Sequence, residues 1–251
     1  MTWLREFITL LSTSGGDLLY NILTLFTVQM ILGIALSYWA RYRKGPSAGR
    51  LLGTAVGLTV TRGALLVVAV LIKIGWFSPG VVLPPLERWV DFLTLLWAAG
   101  MAVTVLEGRP LGAAVLAVIL LISAGVYAAF ASLWSAVEAT GIAYNAYWQA
   151  TVWTVSSIAV LLLAFVGNLL WRGDDWVLTA MMFCVWLSGY ILQVSDPLPD
   201  MHIAGYVRLA NLIALPMLAS LAYRRALTYL PSLSPSGLVH FPQNTDRSIL
   251  G

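Results

Sequence analysis

The sequence predicts an all-α integral membrane protein: a seven-transmembrane-helix bundle with its N-terminus outside and its C-terminus in the cytoplasm. Three observations lead to this fold class. Hydrophobic residues make up 60% of the 251 residues and charged residues only 10%, whereas a soluble domain has about 25% charged residues. The mean hydropathy is +0.86. The charged residues lie in short clusters between apolar stretches of membrane-spanning length.

The first element is an amphipathic helix at residues 1–16. Apolar residues recur at helical spacing from Trp3 to Leu11, with Arg5 and Glu6 on other positions. This pattern is typical of a short helix that lies at the membrane surface. A basic region followed by a long apolar stretch and a cleavage site is missing, so we do not interpret the segment as a cleaved signal peptide.

Seven segments that can cross a bilayer core of about 30 Å follow. They cover residues 18–40, 50–76, 85–107, 110–134, 145–171, 175–195 and 203–225. Proline, glycine or charged residues separate each span from the next. The membrane domain therefore extends over residues 17–228. Residues 229–251 contain prolines and serines and predict a flexible cytoplasmic tail or linker.

The basic residues set the orientation, because lysine and arginine in short loops stay on the cytoplasmic side. Eight of them lie in loops after odd-numbered spans or at the end of the seventh: Arg41, Arg43, Lys44, Arg50, Arg109, Arg172, Arg224 and Arg225. Two, Arg5 and Arg88, lie on the other face. This distribution places the N-terminus outside. It also explains the basic pI by topology, so no nucleic-acid partner is expected.

Polar residues inside the spans give the candidate site, because ionisable groups within a membrane are rare and usually functional. Asp91 in the third span and Arg208 in the seventh both lie about 9 Å below the outer boundary, so we predict that they pair. The full candidate ligand-binding set is Asp91, Arg208, Asn211, Glu87, Gln149, Gln193 and Asn21. Two interpretations remain open: a structural network that holds the helices together, or a pocket that faces a ligand.

The second span carries two further intramembrane charges, Arg62 and Lys73. Lys73 is expected beside the outer polar residues. Arg62 lies about 18 Å from either end, where we identify no acid at matching depth. It is expected to face a water-filled interior or to cap carbonyls beside a kink such as Pro216. Gly53 and Gly57 form a small-xxx-small pair, which predicts close packing against a neighbouring helix.

Several kinds of active site are excluded or unsupported. The two histidines, His202 on the predicted outer side and His240 in the cytoplasmic tail, lie on opposite sides of the membrane, which excludes bis-histidine haem ligation within one chain. The single cysteine, Cys184, excludes a disulfide framework and a thiolate metal site within one chain. The sequence contains no phosphate-binding glycine loop, HExxH motif or nucleophile elbow. We therefore predict no enzymatic activity, no cofactor and no metal site.

Two stretches resemble a known family. LPPLERWVDFLTLL at residues 83–96 and HIAGYVRLANLIALP at residues 202–216 are similar to the starts of helices 3 and 7 in the N-terminal seven-helix sensor regions of bacterial signalling proteins. In that group GAF modules and a histidine kinase follow the membrane region. The resemblance covers most of residues 18–228. It implies an inner-membrane location and a recurring polar set: Glu87, Asp91, Arg208 and Asn211.

The expected function is a sensory module that detects a small or lipid-like ligand in its outer half and signals to a cytoplasmic domain or partner protein, alone or as a homodimer. The given sequence ends at Gly251, where the family usually continues. We therefore expect either the sensor portion of a longer product or a stand-alone relative. The alternatives are a small carrier or channel, and a structural subunit of a membrane complex.

Overall fold

The structure, a computed structural model, describes residues 2–42, 46–102, 110–173 and 175–228. All regular structure within these ranges is helical, as the sequence predicts. The α-helices are α1 (Thr2–Leu11), α2 (Ser14–Arg41), α3 (Pro46–Lys73), α4 (Pro79–Ala102), α5 (Pro110–Val137), α6 (Trp148–Leu170), α7 (Trp176–Ser195) and α8 (Gly205–Thr228). Two 3₁₀ turns, Glu138–Thr140 and Tyr144–Ala146, lie between α5 and α6. The predicted tail, residues 229–251, is outside the described residues.

Six helices are long and apolar enough to cross a membrane. Their spanning segments are Asp17–Arg41, Ser47–Lys73, Gly112–Thr140, Trp148–Leu170, Trp176–Ser195 and Gly205–Leu227. By length and composition the chain is therefore a multi-pass helical membrane protein. The remaining long helix, α4, corresponds to the predicted third span. It has 24 residues, but every 18-residue stretch within it contains Glu87, Arg88 and Asp91.

Prolines do not break α4 where the sequence suggests. The predicted third span starts at residue 85, after a Pro-Pro boundary, but α4 already begins at Pro79 and continues through both prolines. Pro79 suits the first position of α4, because the first N–H groups of a helix have no partner inside it, whereas Pro84 and Pro85 lie beyond the first turn and each leave one carbonyl without its helical donor. Pro84 cannot donate to the carbonyl of Gly80, and the indole N–H of Trp134 donates to that carbonyl instead, at 2.8 Å. The longer helix places its polar residues deeper than predicted.

Six helices form a closed ring in the order α2, α3, α4, α6, α7 and α8, with α8 returning to α2. Helix α5 packs on the outside of α4, and only 6% of its most apolar stretch is buried. Helix α1 packs against α8 and α2. Sixteen of the 24 residues of α4 are buried, including its three charged residues. The ring therefore encloses polar groups that lipid would not tolerate.

Two glycines mark close helix contacts. A Cβ added to Gly57 would lie 2.5 Å from the Trp97 ring of α4, whereas one added to Gly53 would meet no atom within 4 Å. The predicted small-residue packing therefore holds at Gly57 alone. Between α7 and α8, a Cβ on Gly189 would lie 2.5 Å from the Cβ of Ala210. Gly57 thus leaves room for the Trp97 side chain of α4, and Gly189 allows the backbone of α8 to approach α7 closely.

Candidate functional site

Arg208 is the centre of the first polar group, although it is fully buried. Its Nε and Nη2 atoms donate to the two carboxylate oxygens of Glu87, at 2.6 and 2.7 Å, in a bidentate pair. Its Nη1 donates to the carbonyl of Leu11 at 2.6 Å. Asp17 lies 2.5 Å from Nη2, and the Tyr20 ring lies 4.7 Å from the guanidinium carbon. Every nitrogen of this guanidinium therefore has a partner, and the side chain links α8 to α4, α1 and α2.

Asp91 is the centre of the second polar group, one turn deeper on the same face of α4. Its Oδ1 accepts from Arg62 Nη2 and from Asn211 Nδ2, both at 2.9 Å. Arg62 Nη1 and Asn211 Nδ2 also donate to the Tyr20 hydroxyl oxygen, at 3.1 and 2.8 Å. The Trp186 indole N–H donates to Asn211 Oδ1 at 2.8 Å. These bonds join α2, α3, α4, α7 and α8.

We call these two connected groups the ion-pair core. It consists of Asp17, Tyr20, Arg62, Glu87, Asp91, Arg208 and Asn211. Its two arginines and three carboxylates are all buried. Buried charges of opposite sign are tolerated when they pair and share hydrogen bonds, and removal of one partner leaves a costly uncompensated charge.

The predicted pair between Asp91 and Arg208 is wrong, because the described side chains of both residues have other ion partners. The prediction that no acid lies at the depth of Arg62 is also wrong. Both errors come from the start of α4. From Pro79, Asp91 is twelve residues into the helix, about 18 Å deep, which is the depth of Arg62. Glu87, one turn closer to the helix start, is left to pair with Arg208.

Two predicted amides, Gln149 and Gln193, lie at the ends of α6 and α7 and are buried. Gln149 Nε2 donates to the carbonyl of Phe130 at 3.2 Å, and Gln193 Nε2 donates to the carbonyl of Pro197 at 3.1 Å. The Oε1 atoms of both amides have no hydrogen-bond partner. Each amide therefore presents an unused acceptor to the interior.

The remaining predicted residues behave differently from one another. Asn21 is buried in α2, and neither polar atom of its amide has a hydrogen-bond partner. Lys73 is the last residue of α3 and is exposed, so the structure does not bring it into the buried polar group. The interior face of the bundle therefore includes Asn21 and leaves Lys73 at the surface.

Arg88 is the main residue that the sequence reasoning missed, since the sequence analysis counts it only among the basic residues of the outer face. It is only 5% exposed. Its Nη2 donates to Asn145 Oδ1, while its Nη1 has no partner. Among the described residues no carboxylate lies within ion-pair distance of it. Arg88 is thus a buried cation whose contact is a neutral amide.

Asn145 contacts Arg88 and also joins two loop segments that cover it, the 3₁₀ turn Tyr144–Ala146 and residues 198–203. Its Nδ2 donates to the carbonyls of Ile203 and Leu198, at 3.0 and 3.4 Å, and its backbone N–H donates to the carbonyl of Met201 at 3.3 Å. Leu198 has a φ of 48°, a left-handed conformation that is uncommon for a leucine. Such strain is often found at functional sites. This cover replaces the first turn that the sequence predicts for the fifth span, so α6 starts three residues later, at Trp148.

Three more donors near Arg88 have no hydrogen-bond partner among the described residues: the Tyr144 hydroxyl, the Trp153 indole N–H and the Tyr190 hydroxyl, which lies beside Ser157. Arg88 interacts electrostatically first with Asp91 and Glu87 and then with both tyrosines. The Tyr144 hydroxyl lies beside the Trp153 indole. Burial raises the pKa of the Tyr144 hydroxyl above its ordinary value, so it stays protonated as a donor. We call Arg88, Tyr144, Trp153 and Tyr190 the donor cluster.

Helical spacing aims this cluster inward. In α6, Gln149 and Trp153 are four residues apart, and in α7 Tyr190 and Gln193 are three apart, so each pair shares one helix face. In α4, Arg88 and Asp91 are likewise three residues apart. Helix α6 contacts both α4 and α7. The spacing of polar and aromatic residues in α6 was the sequence signal that could have revealed the cluster.

Comparisons with known proteins give no match to a family model, a curated protein or a solved structure. In the part of the chain that the structure describes, no group of three or more histidine, cysteine, aspartate or glutamate residues is placed to hold a metal ion. The side chains of the site are arginines, carboxylates, tyrosines, tryptophans and amides, which bind by hydrogen bonds and charge.

Proposed function

We propose that this chain is a seven-helix sensory module of a bacterial inner membrane, with its N-terminus outside, that detects a small ligand in its outer half and signals to a cytoplasmic output. That output is a kinase or GAF domain of a two-component system, or a partner protein. The observation that carries the proposal is the position of α8, which links the buried polar residues to the opposite end of the bundle.

Helix α8 has distinct contacts at its two ends. Near its start, Arg208 and Asn211 belong to the ion-pair core. Near its end, Arg224 Nε lies 2.9 Å from Asp175 Oδ1, and Arg225 donates to the carbonyls of Met101 and Ala102 at the end of α4. The helix is continuous between them and spans about 36 Å. A ligand that changes the packing at the outer end therefore has a continuous helix, with Pro216 inside it, through which to move the inner end.

The contacts of α4 support the proposal that it also crosses the membrane, which would bring the number of spans to seven. Glu87, Arg88 and Asp91 make α4 less apolar than the other long helices, but Glu87 and Asp91 are in ion pairs and all three residues are buried inside the ring. A polar helix can cross a membrane when neighbouring helices shield it from lipid. With seven spans the start and the end of the chain would lie on opposite sides, and the basic residues near the ends of α2 and α8 support a cytoplasmic C-terminus.

This topology is tested by labelling single cysteines with a membrane-impermeant maleimide in a Cys184→Ser background. Thr140→Cys, after α5, should react in intact cells, and Arg172→Cys, after α6, should react only after permeabilisation. If α4 does not cross the membrane, Thr140→Cys and every later position change sides. Labelling of Arg172→Cys in intact cells would contradict the proposed orientation.

Coupling along α8 is tested at its inner end with Tyr223→Cys, which places a thiol at an exposed position. Asp91→Asn should change the rate of maleimide labelling there, because it weakens the contact with Asn211 at the outer end. Ser132→Ala, a mild change at an exposed site in α5, is the matched control and should leave the rate unchanged. Equal labelling rates of Tyr223→Cys alone, with Asp91→Asn and with Ser132→Ala would rule out a signal through α8.

A carrier or channel needs a continuous polar path from Asp91 to Asn168, and the contacts do not favour one. The buried cluster below the ion-pair core is apolar and includes Leu95, Leu161 and Leu218. A structural-subunit role has one specific observation in its favour, the exposed apolar face of α5. Obligate co-purification with other membrane subunits that is lost when α5 is made polar would support that second candidate.

A further inference from the structure

The three buried arginines are not equivalent. Arg62 pairs with Asp91 at 2.9 Å, and Arg208 contacts two carboxylates, Glu87 and Asp17. Among the described residues, the hydrogen-bond partner of Arg88 is the neutral side chain of Asn145. The ion-pair core therefore has one more carboxylate than guanidinium, and Arg88, which interacts electrostatically with Asp91 and Glu87, offsets this charge from beyond ion-pair distance. A buried cation with no carboxylate in direct contact is costly, so its retention calls for an explanation.

The groups around Arg88 are mainly hydrogen-bond donors. The free Nη1 of Arg88, the hydroxyls of Tyr144 and Tyr190 and the indole N–H of Trp153 are all buried without a hydrogen-bond partner. In folded proteins most buried polar groups are hydrogen-bonded, so four unpartnered donors in neighbouring positions are unusual. A tryptophan indole can only donate. The cluster therefore suits a ligand group that accepts several hydrogen bonds.

The charge of the site decides which acceptor fits. One guanidinium and three neutral donors match a singly charged anion, and a carboxylate offers about four lone-pair positions on two oxygens. A doubly charged phosphate would need a second cation, and no other basic side chain belongs to the cluster. Aromatic rings lie beside the donors: Phe92 and Phe130 each lie within 6 Å of the Trp153 ring, at 5.6 and 5.8 Å between centroids. They supply apolar contact for the rest of an organic acid.

We propose that the donor cluster binds the carboxylate of a small organic acid, with Arg88 as the charge partner and Tyr144, Trp153 and Tyr190 as hydrogen-bond donors. This inference rests on the proposed function in that it names the ligand class for the outer-half site. The unused acceptors on Gln149 and Gln193 add a preference for acids that also carry a hydroxyl or amino group. Asn145 connects the site to the start of α8 through the carbonyl of Ile203.

The test uses the purified chain in lipid nanodiscs and measures the thermal unfolding midpoint during titration with sodium benzoate or sodium lactate. Benzamide and lactamide, at the same ionic strength set with sodium chloride, are the uncharged controls. We expect saturable stabilisation by the carboxylates and none by the amides. Arg88→Gln should weaken binding at least about tenfold, because it removes a hydrogen bond to a charged group. Arg88→Lys should retain part of the affinity.

Two gentler variants keep the test valid if Arg88→Gln does not fold. Trp153→Phe and Tyr190→Phe each remove one donor and keep an aromatic ring, and each should weaken carboxylate binding several-fold. Trp97→Phe and Tyr127→Phe are matched controls. Trp97 also has an unpartnered indole, but it packs against Gly57, and Tyr127 stacks on Trp89. Both controls should bind as the unmodified chain does.

The outcomes separate this inference from the proposed function. If no carboxylate stabilises the chain, water satisfies the donors and the inference is overturned. If amides bind as well as acids, or if the donor-cluster variants bind normally, the assigned class or the assigned site is overturned. If carboxylates bind through Arg88 but do not change labelling at Tyr223→Cys, the binding site stands and the sensory role fails.

Discussion

The ion-pair core and the donor cluster are neighbours on α4 but use their hydrogen-bonding groups in opposite ways. In the ion-pair core, Arg208 has a partner for every nitrogen and Asp91 Oδ1 accepts two bonds, while Arg62 Nε and Asp91 Oδ2 are the atoms of that pair without a hydrogen-bond partner among the described residues. In the donor cluster, Arg88 and three aromatic donors keep unused hydrogens. The difference indicates that the first region holds the helices together and that the second is built to bind. Buried polar residues in one helical bundle can therefore serve different roles, depending on whether their hydrogen-bonding groups have partners.

The largest expected effect is the loss of the ion-pair core. Arg208→Met should lower the free energy of unfolding by about 3–5 kcal/mol, because Glu87 and Asp17 would be left as buried charges without their partner. The measurement is unfolding in mixed micelles with increasing denaturing detergent. Arg224→Met, at a side chain that is 62% exposed, is the control and should cost at most about 1 kcal/mol. Similar losses for the two variants would contradict the central role of Arg208.

A double-mutant cycle sharpens the assignment of partners inside the ion-pair core. The coupling free energy between Arg62→Gln and Asp91→Asn should be about 1–3 kcal/mol, since these side chains are in direct contact. The coupling between Arg208→Gln and Asp91→Asn should be at most half as large. Unfolding free energies of the single and double variants give both values. A larger coupling for the second pair would restore the pairing that the sequence suggested.

The contact between α7 and α8 connects the two regions and can be disturbed without changing any polar group. Gly189→Ala should cost about 1–3 kcal/mol, because its Cβ would lie 2.5 Å from the Cβ of Ala210 and 3.0 Å from the carbonyl oxygen of Tyr206. Gly125→Ala in α5, where a Cβ meets no atom within 4 Å, should be neutral or slightly stabilising. Thermal unfolding of both variants measures the difference. Equal stabilities would mean that the α7–α8 contact is looser than described.

The smallest expected effect completes the comparison. Arg88→Met should change the free energy of unfolding by no more than about 1 kcal/mol, because the loss of the bond to Asn145 is offset by the removal of an unpaired buried charge. The same arginine-to-methionine replacement thus has very different costs at residues 88 and 208. If Arg88→Met destabilises as strongly as Arg208→Met, Arg88 belongs to the structural network and the distinction between the two regions fails.

The sequence predicted the helices more reliably than their contacts. Long apolar segments must be helical in a membrane, because only a helix satisfies its own backbone within one segment. The start of α4 was misplaced because two prolines looked like a boundary, whereas the Trp134 indole replaces the missing donor at Gly80. That error of six residues also misassigned the partner of Asp91. The donor cluster was missed because three of its four members are tyrosine or tryptophan, and these residues commonly anchor helices at the membrane surface.

By itself the sequence determined that this chain is helical, that it belongs in a membrane, and that α4 and α8 carry its unusual polar residues. Periodicity and hydropathy are local properties, so they can be read along the chain. The tertiary structure decided which carboxylate neutralises Arg62 and Arg208, and which arginine, Arg88, remains unpaired. Those contacts depend on where each helix starts and which faces meet across the ring, and they join residues as far apart as Glu87 and Arg208 in the sequence.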